Sequence, residues 1–231
     1  MLFRRRQVWW PTWWAWLLLS ILIVLATLVW ARNAVGFLAM NQPARGAHTL
    51  IVEGWMDEAD LAQAVAAFER GGYTRMLTTG GPIDRWSDVG HWKTSAARGA
   101  AYALEHGVAP DRVVALPAPK TLKERTWTNA LMVHDWAARS GLALEAVDVY
   151  SAGVHARRSR ALYALALGDR VEVGVLAAVP SEFDAARWWQ SSAGTKAVLG
   201  EALGWLWTSC CFWPGPPGPP AAPSGPGGAA R

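Results

Sequence analysis

Residues 13–31 read WWAWLLLSILIVLATLVWA, and no residue from Gln7 to Ala31 is charged. That is about nineteen apolar positions, close to the ~20 a helix needs to cross a bilayer core, and it predicts one transmembrane helix. Beyond it, short apolar runs alternate with longer amphipathic ones. The runs at 49–52, 76–79, 113–116, 147–151 and 171–177 predict five strands. Helical periodicity predicts helices over 57–70, 94–106, 126–140, 156–167 and 192–207, the first ending at Gly71 and Gly72.

Apolar runs rich in β-branched residues, joined by helical crossovers, predict an α/β fold. This is a doubly wound, Rossmann-like, mostly parallel sheet of about five strands. The chain divides into a cytoplasmic N-terminus over 1–12, the transmembrane helix over 13–31, a linker over 32–46, the α/β domain over 47–213 and a tail over 214–231. The tail, PGPPGPPAAPSGPGGAAR, has too little apolar surface to offset ordering and is expected to be disordered. Arg4, Arg5 and Arg6 precede the span and orient the N-terminus to the cytoplasm. A cleaved signal peptide ending near Val29-Trp30-Ala31 is the alternative.

Composition narrows the classes further. The chain has 231 residues and a formal net charge of +4, but the excess gathers at the N-terminus and at 155–160. No basic stripe interleaved with aromatics points to nucleic acid. Cys210 and Cys211 are the only cysteines and are adjacent, which excludes a disulfide framework and an ordinary metal site. No Walker loop, Gly-x-Gly-x-x-Gly, Gly-x-Ser-x-Gly or His-Glu-x-x-His is present.

In a doubly wound fold, ligands bind beyond the carboxyl ends of the strands. The polar residues gather in those loops: Glu53, Gly54 and Trp55; Thr79, Gly80 and Gly81; Lys123 to Thr126; Ser151 to Arg158. Gly80 and Gly81 are either an anion-cradling nest or a tight turn. Glu53 is a general base, a hydrogen-bond acceptor for a sugar hydroxyl, or the salt-bridge partner of a loop arginine. Thr126 is a helix cap by default, whereas Arg125 beside it has no such structural role. His155 and Arg158 share a helix face, with Arg157 turned aside. Cations are disfavoured at a helix N-terminus, so an anion is expected there, either a ligand or Glu53, Glu124, Glu182 or Asp184. Ser151 and His155 could form a nucleophile and base, although no orienting carboxylate is fixed by sequence. Trp188 and Trp189 either line the site or pack.

The succession Ile51-Val52-Glu53-Gly54-Trp55, Thr78-Thr79-Gly80-Gly81-Pro82, Arg125-Thr126, His155-Ala156-Arg157-Arg158-Ser159-Arg160 and Trp188-Trp189-x-Ser-Ser-x-Gly194 resembles the YdcF-like family, also called the SanA and ElyC family. The resemblance covers roughly residues 47–209. It implies a Rossmann-like domain behind a membrane helix and a role in the bacterial cell envelope, in polysaccharide or lipid-carrier metabolism. One cytosolic member type resembles an S-adenosylmethionine binder, so the resemblance leaves the cofactor unknown. The family's pattern after the third strand is close to Asn-Thr-x-Glu-Asn, where this chain has Arg125, Thr126, Thr128 and Asn129.

The expectation is therefore a single-pass inner-membrane protein with a periplasmic domain. Its ligand would be an anionic small molecule or lipid-linked phosphate, with no metal. His155 and Glu53 would carry the acid-base chemistry, and Gly80, Gly81, Arg125, Thr126, Arg157 and Arg158 would hold the ligand. A non-catalytic scaffold for an envelope protein partner is the competing expectation.

Overall fold

Five short runs rich in Val, Ile and Leu become strands: β1 (Thr49–Glu53), β2 (Arg75–Gly80), β3 (Val113–Pro117), β4 (Ala146–Ser151) and β5 (Glu172–Ala177). In the computed structural model, which describes residues 10–83 and 92–215, they form one all-parallel sheet in the order β3-β2-β1-β4-β5. The strand order reverses between β1 and β4. A crevice at such a switch point is where doubly wound folds take ligands.

Among the described residues six α-helices accompany the strands: α1 (Trp13–Leu38), α2 (Glu58–Arg70), α3 (Ser95–Glu105), α4 (Arg125–Ser140), α5 (Ala156–Leu167) and α6 (Ser192–Cys210). Because side chains alternate across a strand, neighbouring residues of β1 enter opposite cores. Leu50 and Val52 pack with Leu61 and Phe68 of α2, Met76 and Ala103. Ile51 packs on the other face with Ala130 and Val133 of α4 and with Tyr163 and Ala166 of α5. The start of α2 is capped by Asp57, which accepts from the Asp60 backbone N–H at 2.7 Å, and α3 is capped by Thr94 at 3.1 Å.

α1 is long and apolar enough to cross a membrane, by length and composition, and none of its most apolar window is buried in the protein. The segment 32–46, expected to be a linker, is instead structural. The helix runs on to Leu38, and Ala34 and Leu38, four residues apart on one face, are buried against Val154, Trp188 and Val198. Trp188 donates its indole N–H to the Ala31 carbonyl at 2.8 Å and meets Trp30 edge-on at 5.7 Å, so this tryptophan packs rather than lines a site. Past the helix, Gln42 pairs antiparallel with Val175, Asn41 accepts from the Ala177 backbone N–H, and the Ala44 N–H bonds Asp148 at 2.7 Å. The charge at Arg32 closed the apolar run in the sequence, but a helix needs only one apolar stripe to continue against a partner.

α6 also extends further than expected, to Cys210. Arg4 to Arg6, the loop residues 84–91 and the tail from 216 onward lie outside the described residues.

Candidate functional site

The carboxyl ends of β1, β2 and β4 close over a buried polar centre. Glu53, the last residue of β1, is fully buried, and its carboxylate accepts from two hydroxyls. Ser151, the last residue of β4, donates to Oε2 at 2.5 Å, and Ser159 from α5 lies 3.1 Å from Oε1. The serines are 3.2 Å from each other. Beside them Thr79 Oγ1 and the Tyr163 hydroxyl are 3.0 Å apart. Burial, and then the Glu53 charge, push the Tyr163 hydroxyl well above its ordinary range, so it stays neutral.

His155 sits above this centre, at the end of a 3-10 turn (Gly153–His155) that leads into α5. Its Nε2 lies 3.3 Å from Thr126 Oγ1 and 3.9 Å from Glu53 Oε1. Its Nδ1 is 2.9 Å from Glu201 Oε1 of α6 and 3.0 Å from Arg158 Nη2. Arg158 in turn grips Glu201 through Nε at 2.9 Å and Nη2 at 3.1 Å, a forked, charge-assisted pair. The ring proton has two settings here. With Nδ1–H donated to Glu201, Nε2 faces Thr126 and Glu53 as a base; with Nδ1 accepting from Arg158, Nε2–H faces them as a donor. The indole of Trp55 packs edge-on against the imidazole at 5.3 Å and limits its rotation.

These contacts answer why three arginines tolerate a helix start. Each is taken by the protein: Arg158 by Glu201, Arg160 by the Val173 carbonyl at 2.8 Å, and Arg157 by the Phe37 carbonyl and ring of α1. The anion opposite Arg158 is Glu201, a residue absent from the sequence-based candidates.

The expected site residues therefore separate. Glu53, Thr126, His155 and Arg158 come together. Arg157 does not join them, because its side chain turns toward α1, as its place off the His155–Arg158 face requires. Thr126 is buried and does not cap α4. The residue before that helix is Glu124, in a left-handed conformation at φ 51°, and the Thr126 hydroxyl is spent on His155.

Gly80 has φ +152°, and a Cβ there would lie 2.5 Å from the Ser95 Cβ, where α3 begins. The residue is glycine because a helix start presses on it, and the same start crowds Gly54, whose Cβ would sit 2.2 Å from the Ser95 carbonyl oxygen. Gly81 accepts from the Ser95 N–H at 2.9 Å and Pro82 pairs antiparallel with Thr94, so these glycines carry β2 into contact with the start of α3. Arg125 is exposed and has no ion-pair partner among the described residues. No group of three or more potential metal ligands occurs among the described residues.

Sequence reasoning missed Glu201, Ser159 and Tyr163. Glu201 is the single acid in α6, and an acid set between apolar neighbours on both sides is a signal that it has a partly buried partner. Ser159 and Tyr163 fall on the buried stripe of α5 with Ala156 and Ala166, polar residues where periodicity demands apolar ones.

Burial pushes the Glu201 carboxyl up, but hydrogen bonds and charges from His155 and Arg158 outweigh it and hold the group at about 2, against 4.5 for a free side chain. A depressed acid adds stability that is complete above its unfolded value and lost as pH falls through the folded one. Stability on the order of 3 kcal/mol is therefore expected to disappear between about pH 4.5 and 2. Urea midpoints across that range should fall steeply in the wild type and more shallowly in Glu201→Gln.

Comparison with known proteins gives no matching family model, no matching curated protein and no matching solved structure.

Proposed function

We propose that the chain is a membrane-anchored protein of the bacterial cell envelope. Its extracytoplasmic α/β domain binds an anionic envelope metabolite, a lipid-carrier or sugar phosphate, at the switch point between β1 and β4. The observation that carries the reading is His155, oriented by Glu201 and Arg158 on one ring nitrogen and facing Thr126 and Glu53 with the other. A histidine held on one ring nitrogen by a carboxylate and a guanidinium, with the other nitrogen left toward a hydroxyl and a second carboxylate, has the geometry of a proton carrier. Lys123 and Arg125, exposed at and just before the start of α4, supply positive charge that forms no ion pair among the described residues. The resemblance to the YdcF-like family supports the envelope setting and α1 supports anchoring; the arginines ahead of α1 support a cytoplasmic N-terminus.

A second reading has its own observation. Arg158 pairs with a protein carboxylate, and Arg157 and Arg160 each give their Nε–H to a backbone carbonyl, which suits a rigid scaffold for an envelope partner as well as a binding site.

Thermal shift of the full chain in detergent distinguishes the two, with pyrophosphate, a sugar 1-phosphate and a polyprenyl phosphate as probes. A probe at about a hundred times its dissociation constant adds about 2.7 kcal/mol, which is roughly 5–10 °C for a chain of this size. The shift should be lost in Arg125→Ala and in Lys123→Ala. With His155→Gln, binding should persist and any turnover of the bound probe should vanish. No shift with any of the three would overturn the binding reading and leave the scaffold.

A further inference from the structure

Between the last turns of α1 and the second half of α6 runs a groove of about 260 Å³, lined by Trp30, Ala34, Phe37, Ala202, Leu203 and Leu206 among others. Among the described residues no charged one lines it. Leu203 is 68% exposed, and with Leu199, Leu206 and Trp207 it forms an apolar stripe along α6 at helical spacing. From Ala202 to Gly215 the chain has no charge at all. An apolar surface of this kind marks a site of contact.

What covers it follows from where it lies. α1 has 26 residues, so it is roughly 39 Å long, while a bilayer core takes about 20 residues. A span beginning at Trp13 therefore reaches the far headgroup level near Trp30, and the turns from 33 to 38 stand just outside. The groove opens at Trp30 and continues the lipid-facing surface of α1 outward to Phe37. There it ends at a cation, because the Arg157 guanidinium lies over the Phe37 ring at 3.8 Å and gives its Nε–H to the Phe37 carbonyl. The other N–H groups of Arg157 have no partner among the described residues.

We infer that this groove holds one hydrocarbon chain of an anionic glycerophospholipid from the bilayer that α1 occupies, with the lipid phosphate on Arg157. The inference rests on α1 lying in a membrane and is independent of any ligand at His155. A guanidinium fork matches two phosphate oxygens, and its partial desolvation against Phe37 strengthens that pairing.

The test uses the full chain in nanodiscs containing phosphatidylglycerol with a diazirine at the end of one acyl chain. After photolysis, label is expected on α1 and on residues 199–207. Ala202→Phe fills the groove and should reduce the α6 label several-fold while leaving the α1 label unchanged; Arg157→Gln should reduce the α6 label, and more strongly with anionic phosphatidylglycerol than with zwitterionic phosphatidylcholine. Label on α1 but none on α6 would overturn the inference, whether a second copy or another protein covers the face. Undiminished α6 label in Ala202→Phe would mean that the helix merely rests on lipid, which also overturns it. Displacement of the label by a few mole per cent of polyprenyl phosphate would overturn the assignment to a bulk phospholipid. Absence of label on α1 would remove the premise and the inference with it, without bearing on the pyrophosphate and sugar phosphate arms at His155.

Discussion

Replacing Glu53 with alanine is expected to lower the melting temperature by roughly 6–20 °C. The carboxylate is fully buried and is the acceptor for both Ser151 and Ser159. Its removal leaves two buried hydroxyls short of a partner, at about 1–3 kcal/mol each, and a cavity that the rigid ends of β1 and β4 cannot close. The serines are close enough to bond each other, which offsets part of the loss. About 3–5 kcal/mol remains, and at 2–4 °C per kcal/mol for a chain of this length that gives the stated range. Glu53→Gln keeps the volume and one acceptor oxygen, and the serine hydroxyls can turn to accept from its amide, so it should lose less than half as much. Differential scanning calorimetry of both variants checks the argument; equal losses would show that the charge, rather than acceptor geometry and volume, sustains the centre.

Gly174→Ala is expected to cost a similar amount for a different reason. A Cβ at this buried position of β5 would lie 2.0 Å from Asp148 Oδ1, 2.1 Å from the Ala44 backbone N and 2.7 Å from the Pro43 carbonyl carbon. Two of these three atoms are backbone, and the third is held by hydrogen bonds. Asp148 accepts from the Ala44 N–H at 2.7 Å and from the Tyr73 hydroxyl at 2.6 Å, and burial raises both side chains from their ordinary values. The methyl group must therefore push the segment after α1 away from β5 and break the Ala44 bond. Overpacking of this kind costs about 1–3 kcal/mol, and a lost bond to a buried carboxylate adds about 1.5–3. Hydrogen exchange should show faster exchange at Gln42, Ala44 and Val175, the residues whose N–H groups tie the segment down. If those amides stay protected, the segment is not the strap it is drawn as. For the same reason, a soluble fragment starting at residue 47 removes Leu38 and the Gln42–Val175 pairing and should be markedly less stable than one starting near residue 31.

The local elements were legible because each rests on local physics. Runs of β-branched residues bounded by turns marked all five strands to within a residue or so at each end, and the helices expected from Asp57 and Thr94 begin one residue later, with those two as their caps. His155 and Arg158 could be put on one face by helical spacing alone. Spacing also turned Arg157 away from them, but it gave no way to see that α1 would be waiting there.

Three matters needed the tertiary structure. Glu201 lies 43 residues from Arg158, and nothing in local sequence joins them. Gly80 and Gly81 suggest a phosphate nest by composition, but the start of α3 is what presses on Gly80 and bonds to Gly81. The stretch from 32 to 46 has a charge at each side of its apolar residues and reads as a tether; only the packing of Ala34 and Leu38 on Trp188 and Val198, and the pairing with β5, made it part of the domain.

The sequence by itself determined an apolar helix long enough for a membrane, an alternating α/β order and the strand ends where polar residues gather, because periodicity and chain chirality act over a few residues at a time. Which of those polar residues meet, and which cation finds which carboxylate, was decided by the sheet order and by where α1 and α6 dock. Those contacts join residues far apart along the chain, and their partners are chosen by three-dimensional packing rather than by spacing.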